Sequence, residues 1–281
     1  MKGIKNFFIK NKLIILILVA AIVFLGGIGW TLYQRLESSE ERESTTSSEG
    51  VSTIVSGGTT ILLIGLETND ELTDENVIPG NNAQIGALSL LCFDAKSNEV
   101  EVIFIPRETM SDVQVVYTDG TLGDVEEKQI CLQYTYGATH EEAVALTIQS
   151  LEELLDGITI DDYVVVSQDA IAELNTFLEN SEDEALPTNW EDWSTNQVEQ
   201  LLKQCKKRNL THWGLWKNLY ATLDPYMVTS LSQKDMSVLG RKVFWMRKKN
   251  ISTVELPGEW YEYTTLDEFH VDLDAWAQMM E

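Results

Sequence analysis

The sequence is short of cysteine, of histidine and, beyond its first dozen residues, of positive charge, and each shortage narrows the function. Its three cysteines, Cys92, Cys131 and Cys205, are odd in number and show no metal-ligand spacing. They argue against a disulfide framework, and each reads as a small buried hydrophobe. His140, His212 and His270 lie far apart with no second ligand near in sequence, so each reads as a surface or capping residue rather than a catalyst. Lys and Arg number 20 against 45 Asp and Glu, a net charge of −25 that opposes nucleic acid as a partner, and no DNA-binding motif is present.

What the sequence does have is one long apolar run. Leu13 to Leu32 carries no charged side chain over 20 residues. As a helix it is roughly 30 Å long, the thickness of a bilayer's hydrocarbon core. Lys2, Lys5, Lys10 and Lys12 precede it with no acid, whereas Glu37, Glu40 and Glu41 follow soon after Arg35. The positive-inside rule then keeps the N-terminus in the cytoplasm. The run exceeds the usual signal-peptide core of about 7–15 residues and no A-x-A-like site follows, which favours an anchor over a cleaved signal. The expected organisation is a cytoplasmic N-terminus (1–12), one transmembrane helix (13–32), a flexible stalk (33–58) rich in Ser, Thr and Glu, and one extracytoplasmic domain (59–281). The expected location is the plasma membrane, single-pass, with the C-terminal domain outside.

The outer part opens on Thr59 to Leu66, an apolar β-rich run suited to a strand covered on both faces. Ala87 to Phe93 and Glu99 to Ile105 predict a hairpin that Pro106 ends, and Val113 to Tyr117 an edge strand. Thr139 to Glu142 forms a capping box before a helix through Val144, Leu146, Ile148, Leu151 and Leu154, closed by Gly157. Tyr163 to Val166 predicts a strand, and Ser167 a helix start. Helices capped by Ser194 and Ser232, a strand over Ile251 to Leu256 and a helix over Leu273 to Met280 complete the pattern. Alternating strands and helices argue an α/β layered fold. Trp190, Trp193, Trp213 and Trp216 are open to two readings, as core residues or as a face for sugar or lipid.

In order and spacing, ILLIGLE (Ile61 to Glu67), IPRET (Ile105 to Thr109), QYTYG (Gln133 to Gly137) and GITIDDYVVV (Gly157 to Val166) resemble the LytR-CpsA-Psr family of bacterial envelope proteins. The resemblance implies a three-layer α-β-α domain with a mixed central sheet, preceded by one transmembrane helix. It implies an apolar groove for a polyprenyl-pyrophosphate lipid and transfer of an envelope glycopolymer, of teichoic acid or capsule type, onto peptidoglycan with Mg2+. It places Arg107 as phosphate clamp, Arg107 and Tyr134 at the substrate, and Glu67 and Glu108 as metal ligands. Phosphoryl transfer needs exactly placed cations against the diphosphate, and arginine's fork suits them best.

Several of those cations are absent. The family's second clamp arginine falls on Gln84 and one metal-binding Asp on Gly86, while Ser181 to Gln200, where later arginines belong, contains no Arg or Lys. At roughly 1.5–3 kcal/mol for each charge-assisted hydrogen bond, three lost arginines remove on the order of 5 kcal/mol. That is about a thousandfold in rate or affinity. Two readings follow: a degenerate, non-catalytic scaffold or regulator of envelope assembly that binds polyprenyl lipid or other wall-assembly proteins, and an active phosphotransferase on the same fold. For Arg107 the alternative to a phosphate is an ion pair with Glu108 or Asp112.

Overall fold

The computed structural model describes residues 58–72, 79–80, 83–94, 99–178, 213–232, 234–236, 239, 250–263 and 266–280. The expected membrane helix, the stalk, the turn at 95–98, the acidic stretch Ser181 to Gln200, the helix after Ser194, Cys205, His212, Trp190 and Trp193 lie outside these residues, as do the side chains of Trp213 and Trp216. Among the described residues no helix is long and apolar enough to cross a membrane.

The domain is mixed α/β. Its central sheet contains β1 (Thr59–Leu66), β2 (Ile85–Asp94), β3 (Glu99–Ile105), β6 (Asp162–Ser167), β7 (Met227–Thr229) and β8 (Ile251–Glu255), in the order β7-β6-β1-β2-β3-β8. β1, β2 and β3 pair antiparallel in turn, β6 runs parallel to β1, and β8 parallel to β3. The carboxyl ends of β1, β3, β6 and β8 therefore meet at one edge, where open α/β sheets bind ligands. Successive residues of β1 from Ile61 to Ile64 are buried, so both faces of the sheet are covered, as the uninterrupted apolar run predicts.

Helix α1 (His140–Leu154) begins as its capping box predicts: Thr139 Oγ1 accepts from the Glu142 amide at 3.1 Å. Glu142 reaches back not to the cap residue but to the Ala138 amide, at 2.8 Å. The buried face of α1 runs through Ala143, Val144, Thr147, Ser150 and Leu151, and Gly157 leaves at φ +89°, a conformation glycine adopts without strain. Helices α2 (Asp169–Leu178), α3 (Trp213–Leu223) and α4 (Leu273–Met280) follow, the last over the predicted span. Ser232 Oγ accepts from the Asp235 amide, also as predicted. Ser167 proves to be the last residue of β6, so α2 starts two residues later than expected.

Two hairpins flank the sheet. β4 (Met110–Val116) and β5 (Leu122–Gln129) form one, and β9 (Gly258–Glu262) and β10 (Asp267–Val271) the other. The predicted edge strand at Val113 to Tyr117 is thus the second half of β4, except Tyr117, which follows the strand's end. Between the first hairpin and α1 lies the 3-10 segment Ile130–Tyr136.

Candidate functional site

The loop that follows β3 is fixed by its backbone. The Pro106 carbonyl accepts from the Thr109 amide (3.0 Å) and hydroxyl (2.6 Å), and that of Arg107 accepts from the Cys131 amide (3.2 Å). The Glu108 carbonyl takes the Phe269 amide (3.0 Å), and that of Thr109 the Ile130 amide (2.7 Å). Four consecutive carbonyls are engaged by three different segments, so Arg107 projects from a rigid mount at the carboxyl edge of the sheet.

Its guanidinium is already in use. One terminal nitrogen donates to the Glu67 carboxylate, the other to Gln84 Oε1 at 3.2 Å, and Nε stands 4.0 Å from Glu108. Glu67 is itself placed by its amide, which donates to the Gln84 carbonyl at 2.9 Å and joins the end of β1 to the start of β2. Three of the four residues singled out in sequence, Glu67, Arg107 and Glu108, therefore converge. The principal ion-pair partner is Glu67, not Glu108 or Asp112. The Arg107 side chain is only 18% exposed. Burial alone would loosen its proton, but Cys131, Glu67 and Glu108 outweigh it and hold the pKa above the ordinary arginine value.

Cys131 lies against this guanidinium, a contact that no local signal announces, because it stands 24 positions beyond Arg107. Burial pushes its thiol pKa up, and Arg107 pulls only partly the other way.

Of the two expected metal ligands, Glu67 is paired with Arg107 and Glu108 stands 4.0 Å from Arg107 Nε, so both carboxylates face the guanidinium.

Tyr134 is placed elsewhere than expected for a substrate-binding residue. It is fully buried, its hydroxyl 2.8 Å from His140 Nδ1, and burial pushes its phenol pKa far up. His140, expected at the surface or at a helix cap, is the first residue of α1 and is buried. A ring this large contributes most by leaving water, and its hydroxyl then needs an internal partner. Gln133, Thr135 and Gly137 of QYTYG are buried as well, whereas Tyr136 is half-buried and its hydroxyl accepts from Lys128. Gln133 bonds Gln114 and Ser150, and a Cβ on Gly137 would stand 2.3 Å from the Ala143 amide nitrogen. The motif seats the 3-10 segment on α1.

The sequence profile of the LytR_cpsA_psr family matches residues 29–175, just over half of the chain. Among solved structures the fold is similar to TagV of B. subtilis, with 14% identity, TM-score 0.52, and 80% of this chain and 95% of that one covered. It is also similar to gbs0355 from Streptococcus agalactiae (14%, 0.52, 79% and 86%) and to yvhJ from Bacillus subtilis, described as a transcriptional regulator (15%, 0.50, 79% and 93%). No curated protein sequence matches the chain.

Proposed function

The chain belongs to the LytR_cpsA_psr family, and from that premise we propose that it acts in assembly of bacterial envelope glycopolymers as a degenerate, non-catalytic scaffold or regulator. In this reading it is anchored in the plasma membrane by Leu13 to Leu32, with a three-layer α-β-α domain outside; burial of β1 on both faces supports the layering. Its partners are a polyprenyl-(pyro)phosphate lipid or the glycopolymer the lipid carries, and other wall-assembly proteins.

The observation that carries the reading is the closure of Arg107 onto Glu67 and Gln84. A diphosphate entering here meets one cation already neutralised by a carboxylate, with Glu108 a second negative charge beside it. Catalysis of phosphoryl transfer rests on charge neutralisation, and this cluster is net negative. Convergence of Glu67, Arg107 and Glu108 at the strand ends favours a second reading, an active phosphotransferase moving lipid-pyrophosphate-linked glycopolymers onto peptidoglycan. Incubating the full chain in detergent with a polyprenyl-pyrophosphate-linked glycan, peptidoglycan and magnesium separates the two. The scaffold reading expects no polyprenyl monophosphate released above background; release that Arg107→Ala abolishes, with the glycan phosphate joined to a peptidoglycan hydroxyl, establishes the enzyme instead.

A further inference from the structure

The β4–β5 hairpin is a two-stranded ribbon with two edges, and the body of the protein satisfies one of them. On the β4 side the Asp112 carbonyl accepts from the Ser150 hydroxyl (2.8 Å), the Gln114 amide donates to Gln133 Oε1 (2.8 Å), and the Gln114 carbonyl accepts from Gln133 Nε2 (3.2 Å). Asp112 and Gln114 thus turn these backbone groups away from β5, and in an antiparallel ladder their partners Glu127 and Val125 turn theirs away from β4. Among the described residues no hydrogen bond reaches those outward groups, and both residues are exposed. From Leu122 to Glu127 the open edge is about 20 Å long at the rise of a strand and contains no proline. It is a template held rigid from behind.

We propose that the outer edge of β5 docks an extended, lysine- or arginine-bearing segment of another protein, which adds as a strand on the Val125 and Glu127 backbone and sets a cation against the Asp112–Glu127 pair. Those two carboxylates stand directly opposite each other in the ladder, both exposed, and like charges so placed destabilise a sheet. Among the described residues no cation pairs with either; Lys128, the one base of β5, meets Glu126 instead. Strand addition draws affinity from main-chain hydrogen bonds and specificity from alternate side chains, and here Leu122 (70% exposed) and Val125 (56%) offer apolar contacts between the acids. The same acids choose the partner. Edge-to-edge pairing of two copies would set Asp124, Glu126 and Glu127 against their own kind, and a polyanion is repelled, so a basic segment is the fitting occupant. The site lies apart from the Arg107 cluster and stands under either reading of it.

Peptide titration and hydrogen exchange on the full chain in maltoside detergent test this. The probes are three blocked octapeptides: alternating Lys and Val, alternating Glu and Val, and the Lys/Val peptide N-methylated throughout, which keeps the charge and removes the donors. The Lys/Val peptide should bind about tenfold more tightly than either of the others and slow exchange at the Val125 and Glu127 amides. Glu127→Lys, which sets a cation opposite Asp112 and leaves the ladder in place, should weaken that binding about tenfold without lowering the thermal midpoint. Equal binding of the N-methylated peptide would reduce the contact to charge and overturn strand addition. No Lys/Val binding, unchanged exchange at the two amides, or binding indifferent to Glu127→Lys would overturn the proposal too. So would amides protected before peptide is added, whether by a second copy or by the chain's own Lys206-Lys207-Arg208 run.

Discussion

β1 and β5 have the same length of eight residues and opposite surroundings. Every residue of β1 after Thr59 is buried, whereas β5 presents Leu122 at 70% and Val125 at 56% exposure along with Asp124, Glu126 and Glu127. One strand is held by apolar area withdrawn from water on both faces; the other is held mainly by its ladder to β4 and by Lys128, whose ammonium meets Glu126 at 2.9 Å and the Tyr136 hydroxyl at 3.3 Å. The buried strand is the one that delivers Glu67 to the site. The exposed one can vary without moving it.

Core truncation separates the two most sharply. Ile64→Ala in β1 should lower unfolding free energy by about 2–5 kcal/mol in urea titrations, and Val125→Ala in β5 by no more than about 0.5 kcal/mol. Equal losses would abolish the contrast. A smaller effect is expected where the hairpin is tied to the body. Gln133 Oε1 accepts from the Gln114 amide (2.8 Å) and the Ser150 hydroxyl (2.9 Å), and its Nε2 donates to the Gln114 carbonyl (3.2 Å). Gln133→Ala should cost about 1–3 kcal/mol by thermal unfolding and speed hydrogen exchange in β4 and β5 more than in β1.

The smallest effect sharpens the account of the buried sheet. Glu101 in β3 is 5% exposed, and burial raises its carboxyl pKa. A carboxylate with a raised folded-state pKa is penalised when ionised, so its destabilisation grows as pH rises from the unfolded-state value and is complete above the folded one. Glu101→Gln should therefore stabilise the protein at pH 7, by about 1 kcal/mol at most, and lose that advantage in acid below the ordinary carboxylate range. Denaturation midpoints at the two pH values check the sign.

The same contrast explains what could be read in advance. Buried elements carry their periodicity openly: TTILLIGL announces β1, and Leu273–Met280 forms its helix as predicted. β5 reads LGDVEEKQ, with acids on both faces, so no alternation marks it. β7 has three residues, too few for a pattern, and β9–β10 follows a Pro257-Gly258 pair that looks like an end rather than a strand start. At the site, Glu67, Arg107 and Glu108 were singled out by motif resemblance, and strand ends bring their side chains together. The Arg107–Cys131 contact was not, because it depends on where the 3-10 segment lands. The burial of Tyr134 and His140 was not legible, because motif position says nothing about burial.

The central claim is that Glu67 closes the one described arginine clamp. Titrating inorganic pyrophosphate into the full chain and its Glu67→Gln variant, with Arg107→Ala as background, tests it directly. Freeing the guanidinium should tighten binding by about tenfold or more and leave the Arg107→Ala background unchanged. Weaker binding in Glu67→Gln would mean that Glu67 supports anion capture, unaltered binding that it does not close the clamp, and either would contradict the account.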